Sequence, residues 1–228
     1  MREVDEAVRQ DEMSSLFKRY GVPVTAALVL GLAGLGGYLW WENNQKAAIA
    51  QRGEDFTMAL DKIEAGNLDA GDKALQPLAA EGGSGSSASA RLMRGGIALE
   101  KGKRDEAVKL FEQVASDTAA PQAFRDLATI RQVAAGFDTM PVDQIVTKLK
   151  PLAVPGNAWF GSAGELLGMA YLKQGKPELA GPLFAAISRD KDAPETLRRR
   201  TRQIAGMLGV DAIDDPEKTV KELTENQN

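Results

Sequence analysis

The chain has 228 residues, 28 Lys+Arg against 32 Asp+Glu, and neither His nor Cys. Those two absences exclude a thiolate nucleophile, a Ser-His-Asp relay and ordinary zinc or haem sites, and leave no disulfide from which to read the redox compartment. A net charge of −4 argues against a nucleic-acid-binding domain, which would be strongly basic.

The first element in chain order follows a mixed-charge stretch of 20 residues. From Gly21 to Trp41 no residue is charged: GVPVTAALVLGLAGLGGYLWW. As a helix this run is about 31 Å long, the thickness of a hydrocarbon core. Pro23 falls in its first turn, where a missing N–H costs nothing. Lys18, Arg19 and Tyr20 flank one end and Tyr38, Trp40 and Trp41 the other, the placement expected at two membrane–water interfaces. The run is expected to be a transmembrane helix. A cleaved signal peptide is the alternative, because Ala48-Ile49-Ala50 has a small-x-small form, but the apolar run exceeds a usual signal core. Lys18 and Arg19, with Arg2 and Arg9 behind them, put the N-terminus inside and the remainder outside. Outside means the periplasm of a Gram-negative cell; a mitochondrial intermembrane-space protein would look similar. Ala27, Gly31 and Gly34, and the pair Ala33 and Gly37, form small-residue stripes that let a second helix approach, or reflect only the frequency of glycine in membrane helices.

Beyond Trp41 the periodicity is helical. Residues 45–65 read as one helix, either separate from the span or continuous with it, with Gly66-Asn67 stopping it. Residues 69–80 read as a second helix, and Glu81–Ser87, EGGSGSS, as a flexible loop.

Residues 95–121 and 168–194 align without a gap at an offset of 73. Gly95 matches Gly168, Gly102 matches Gly175, Ala107 matches Ala180, Phe111 matches Phe184 and Pro121 matches Pro194. Seventy-three is about twice 36, so a degenerate unit is expected between them, drawn as 124–135 followed by 141–149. Residues 45–80 supply a further unit, with Gly66 matching Gly102. Two helices per period of 34–37 residues define a tetratricopeptide-like solenoid. Leu167, Gly168, Tyr171, Ala180 and Phe184 fall at positions 7, 8, 11, 20 and 24 of that repeat. Gly168 and Ala180 are expected where the two helices touch, with Tyr171 and Phe184 buried beside them and Gly175 making the turn.

The fold class is therefore all-α: one transmembrane helix, then a tetratricopeptide-like helical-hairpin solenoid of about four units. The expected limits are a cytoplasmic tail 1–20, the span 21–41, a periplasmic domain 42–213 and a tail 214–228.

The stretches Glu6-Ala7-Val8-Arg9, Phe17–Gly21 and Trp159–Gly181 resemble the YfgM family, ancillary subunits of the SecYEG translocon. The resemblance implies a non-enzymatic accessory role in the bacterial inner membrane. Its partners would be SecYEG and the periplasmic chaperone PpiD, and newly exported proteins would pass to folding factors. Arg94 departs from the repeat pattern, which prefers an apolar residue there.

Candidates for chemistry are sparse, and no catalytic, cofactor or metal residue is assigned. Asp214-Asp215 reads as a solvated helix start rather than a metal site, and nothing fixes Ser162 and Lys173 as a dyad. Arg198, Arg199, Arg200 and Arg202 form the densest basic patch, either a solvated face paired with Glu195 or a site for an anionic partner. Two function classes remain: a translocon-linked interaction module, and an envelope scaffold for cell division or outer-membrane assembly.

Overall fold

Residues 2–80 and 85–211 are described by a computed structural model, with the side chains of the first helix given for Thr25 and from Leu30 onward. Among them every regular element is a helix: α1 (Arg2–Glu64), α2 (Leu68–Ala80), α3 (Gly85–Glu100), α4 (Arg104–Ser116), α5 (Gln122–Gly136), α6 (Val142–Leu149), α7 (Phe160–Lys173), α8 (Pro177–Arg189) and α9 (Glu195–Met207). The chain divides into two units, Met1–Glu54 and Asp55–Asn228.

In the first unit the large apolar side chains Leu30, Leu32, Leu35, Leu39 and Ile49 stand exposed, as do Tyr38, Trp40 and Trp41. Among the described residues no helix is long and apolar enough to cross a membrane. The expected span of 21–41 lies partly outside the described side chains, as do Lys18, Arg19 and Tyr20.

In the second unit the last turns of α1 place Ala59 in a core with Leu75 and Leu78 of α2 and Ala90 and Ile97 of α3; Phe56 and Ile63 pack at its edge. The hairpins then follow one another with a repeated turn. Gly66, Gly102 and Gly175 have φ of 78°, 71° and 70°, a left-handed conformation that costs a residue with a Cβ about 1 kcal/mol or more. After each glycine the next N–H reaches back five residues: Asn67 N to Lys62 O, Lys103 N to Ala98 O and Lys176 N to Tyr171 O, at 2.9, 2.8 and 2.9 Å. These bonds satisfy carbonyls that a helix end leaves open.

The connectors between hairpins repeat as well. Asp117 accepts from Ala119 N and Asp190 from Asp192 N, both at 3.1 Å, and each connector ends on a proline, Pro121 or Pro194, that opens the next helix. Pro141 does the same for α6.

One element differs from the sequence reading. Gly85–Ser87 are not loop but the first turn of α3, and Ser87 is fully buried. Its hydroxyl donates to Ala79 O at 3.2 Å, closing a carbonyl at the end of α2. Tertiary packing here overrides a Gly-Ser composition that favours coil. Glu81–Ser84 lie outside the described residues, as does the expected tail 214–228.

Candidate partner-binding surface

The α3–α4 and α7–α8 hairpins each close on a glycine that faces a ring. A Cβ added at Gly95 would lie 2.4 Å from Phe111 Cε1, and one added at Gly168 would lie 2.5 Å from Phe184 Cζ. Phe111 and Phe184 are buried, and Ala107 and Ala180 are fully buried on the same helices. Leu167 joins the core of the preceding helices with Ile145 and Leu149. Tyr171 is half-buried rather than buried, because it sits at the edge of two core clusters and closes neither.

The unit between them is built differently. Gln132 stands 37 residues after Gly95 and 36 before Gly168. It is 2 % exposed, and its Oε1 meets no donor among the described residues. Its partner helix α6 has only eight residues and contributes Ile145 and Leu149 in place of a ring.

The helices form two rows. Besides packing on their chain neighbours, α3 touches α5 and α5 touches α7, and no comparable contact links α2, α4, α6 and α8. Crowding along one row and separation along the other curve the array, with α3, α5 and α7 inside. Arg200 of α9 extends that row, donating to both carboxylate oxygens of Glu165 of α7 at 2.5 and 2.8 Å. This pairing holds the Arg200 guanidinium above its usual range.

The rows differ in charge. Helices α3, α5, α7 and α9 carry nine basic residues against four acidic ones; α2, α4, α6 and α8 carry five against seven. Several inner-row cations are held by acids of other elements. Arg94 pairs with Asp72 of α2 at 2.8 Å, and Arg91 with Asp117 at 3.1 Å. Burial pushes the Asp72 carboxyl up, but hydrogen bonds from Arg94 and Gln76 outweigh it and hold the group below its ordinary range. At the outer edge Lys101 bonds Asp69, which lowers the carboxyl and raises the amine. Arg94, which breaks the apolar repeat pattern, is thus a tie between α3 and α2. No local spacing signals a partner 22 residues away.

The basic patch of the sequence lies on α9. Arg198 pairs with Glu195 and Arg200 with Glu165, while Arg199 and Arg202 have no carboxylate partner among the described residues. Nearby, Asn157, Ser162, Asp190 and Asp192 line a depression of about 390 Å³. Asn157 and Asp190 accept backbone N–H groups of their own loops there, and Lys173 turns instead to Phe137, donating to its carbonyl at 3.2 Å. Among the described residues no three carboxylates cluster as a metal site would require.

Of the aromatic residues expected at an interface, Trp40 is 71 % exposed, and the Tyr38 and Trp41 rings tilt against each other with centroids 6.5 Å apart.

Paired antiparallel helices with recurring glycine turns, glycine–ring contacts and Pro-opened connectors define a tetratricopeptide-like solenoid, the class of fold that presents extended surfaces to other proteins. The chain belongs to the tetratricopeptide repeat-like domain family, whose profile matches residues 15–201. No curated protein and no solved structure gave a match. Such a domain points to a protein–protein interaction module, and its fold is typically a non-enzymatic scaffold.

Proposed function

We propose that this chain is a non-enzymatic, membrane-anchored interaction module whose solenoid receives protein partners on the curved inner row. The observation that carries the anchoring is the uncharged run of 21–41, in which every large apolar side chain described from Leu30 to Trp41 is exposed rather than packed. Side chains of that size left in water would be a costly surface for a soluble helix, and lipid is the medium that accommodates them. The flanking Lys18 and Arg19 support an N-terminus in the cytoplasm and a solenoid in the periplasm. The family match supports the reading as well, since it begins at residue 15 and takes in both the run and the repeats.

The resemblance of the N-terminal and 159–181 stretches supports a place beside the SecYEG translocon, with a chaperone such as PpiD as partner. The test is photo-crosslinking in cells from probes at Leu35 in the run and at Met169 on the inner-row helix α7. Adducts with SecY or PpiD support the reading. Adducts with division or outer-membrane assembly proteins would replace it with an envelope scaffold.

A further inference from the structure

The repeat offset of 73 matches the connector 117–121, between α4 and α5, with 190–194, between α8 and α9, and the two differ in their cations. Asp117 and Asp190 correspond, and each accepts a backbone N–H through Oδ1, from Ala119 and Asp192, at 3.1 Å. In the first connector the other oxygen, Asp117 Oδ2, accepts from Arg91 Nη1 of α3 at 3.1 Å. Arg125 of α5 also donates there, to Thr118 O and Ala120 O. The second connector lacks both ties. Gly164 of α7 stands at the counterpart of Arg91, and Arg198, the counterpart of Arg125, pairs with Glu195 instead. Asp190 Oδ2 therefore meets no donor among the described residues. Asp192, where the first connector has Ala119, adds a second carboxylate. Lys191, between the two acids, is exposed and forms no ion pair among the described residues.

Packing keeps an arginine of α7 out of that place. A Cβ at Gly164 would lie 2.8 Å from Ile187 Cδ1, an atom that Val114, the counterpart of Ile187, does not have. Leu197 likewise stands where the first connector is followed by Phe124, whose ring lies beside Gly85. Glycine for an arginine and leucine for a ring go with the depression of about 390 Å³ at the first turns of α7 and α9, both helices of the inner row. Its walls are of two kinds: Ala193, Pro194 and Leu197 are apolar, while Asp190 and Asp192 are acidic. Such a volume is ordinary for a ligand site. Walls of these two kinds suit a side chain with an apolar stem and a cationic head. A guanidinium suits them better than an ammonium, because its planar fork can bond a carboxylate and a second acceptor at once.

We infer that this depression is a socket for an arginine side chain of a protein partner, whose guanidinium takes the place at Asp190 that Arg91 takes at Asp117. The inference rests on the reading of the chain as an interaction module with partners on the inner row, and it names what such a partner must present: an exposed arginine. It is independent of membrane anchoring.

The test is a titration of the full chain in detergent micelles with the peptide acetyl-Leu-Arg-Leu-amide, followed by the backbone amide resonances of Gly161, Asp192 and Leu197. Saturable shifts are expected at these three residues. They should be lost when citrulline, neutral and of nearly the same shape, replaces the peptide's arginine. They should also be lost in Asp190→Asn, whose Oδ1 can still accept the Asp192 N–H. Gly164→Arg with Ile187→Val rebuilds the tie of the first connector and should abolish the shifts by filling the socket from within. A wild type that ignores the peptide, equal shifts with the citrulline peptide, or shifts that survive Asp190→Asn would overturn the inference. So would shifts at these residues that grow with protein concentration in the absence of peptide, since the occupant would then be a second copy. If the double variant unfolds, as its helical circular dichroism would reveal, the citrulline and Asp190→Asn comparisons decide. A failed titration with crosslinks from Met169 retained removes the socket and leaves the interaction module; absent crosslinks remove the module itself.

Discussion

Gly95 and Gly96 are adjacent in α3, yet the same substitution should move stability in opposite directions. A Cβ at Gly95 would lie 2.4, 2.7 and 2.9 Å from Phe111 Cε1, Cζ and Cδ1, closer than carbon atoms approach without displacement. Phe111 is 2 % exposed and is surrounded by Ala98, Ala107, Leu110 and Ala135, so its ring has no solvent to retreat into. Overpacking of this kind costs about 1–3 kcal/mol. Replacing a helical glycine by alanine returns up to about 1 kcal/mol, leaving Gly95→Ala destabilised by up to about 2 kcal/mol. At Gly96 a Cβ meets nothing within 4 Å, so Gly96→Ala keeps the helix gain of about 0.5–1 kcal/mol. The helix gain is common to both, so the two variants should differ by the overpacking cost, about 1–3 kcal/mol, in urea denaturation followed by helical circular dichroism. A second change isolates the cause: Phe111→Leu shortens the ring side chain, and Gly95→Ala should cost less in that background than in the wild type. Equal midpoints for the two alanine variants, or additivity with Phe111→Leu, would refute the glycine–ring contact as the point of closest approach.

Phe184 is fully buried beside Gly168, and Phe184→Ala should cost about 3–5 kcal/mol through the cavity it leaves; an unchanged melting temperature would show that the register is wrong. Asp72 is held below its ordinary value of 3.8, so its contribution is complete above that pH and lost as pH falls through the lower folded value. Asp72→Asn should therefore destabilise by about 1 kcal/mol at pH 6 and progressively less below pH 4. A penalty that stays constant in melts across that range would dissociate Asp72 from acid sensitivity.

How much of this was legible from sequence depends on whether a residue's role repeats. The Gly/Phe pairs 95/111 and 168/184 stand out because small and large residues recur together, and the Asp…Pro connectors recur with them at the same offset. The first turn of α3 was not legible. Gly85 and Ser87 look like linker by composition, and tertiary contacts such as the bond from Ser87 to the Ala79 carbonyl, with the Phe124 ring beside Gly85, favour helix there. The ion pairs Arg94–Asp72 and Arg200–Glu165 were also invisible. They join helices through long side chains at separations of 22 and 35 residues, and no periodic pattern requires them. Local spacing reports backbone geometry and close packing well, and reports electrostatic ties poorly.

The odd unit at α5 gives the array a way to tell its own repeats apart. Phe111 lies on α4, which packs against α3 on one side and α5 on the other, so during folding its ring meets two candidate surfaces. On α3 it finds the space above Gly95; at the corresponding repeat position on α5 stands the buried Gln132, where no glycine leaves such a space. Identical successive repeats would accept the ring equally on either side, and a chain of them can close in a shifted register or exchange hairpins between molecules. A bulky polar side chain at the one site between the two glycines makes the shifted pairing a clash, at the expense of a buried amide oxygen without a donor among the described residues. The irregularity that blurs the repeat in the sequence thereby disfavours a shifted register.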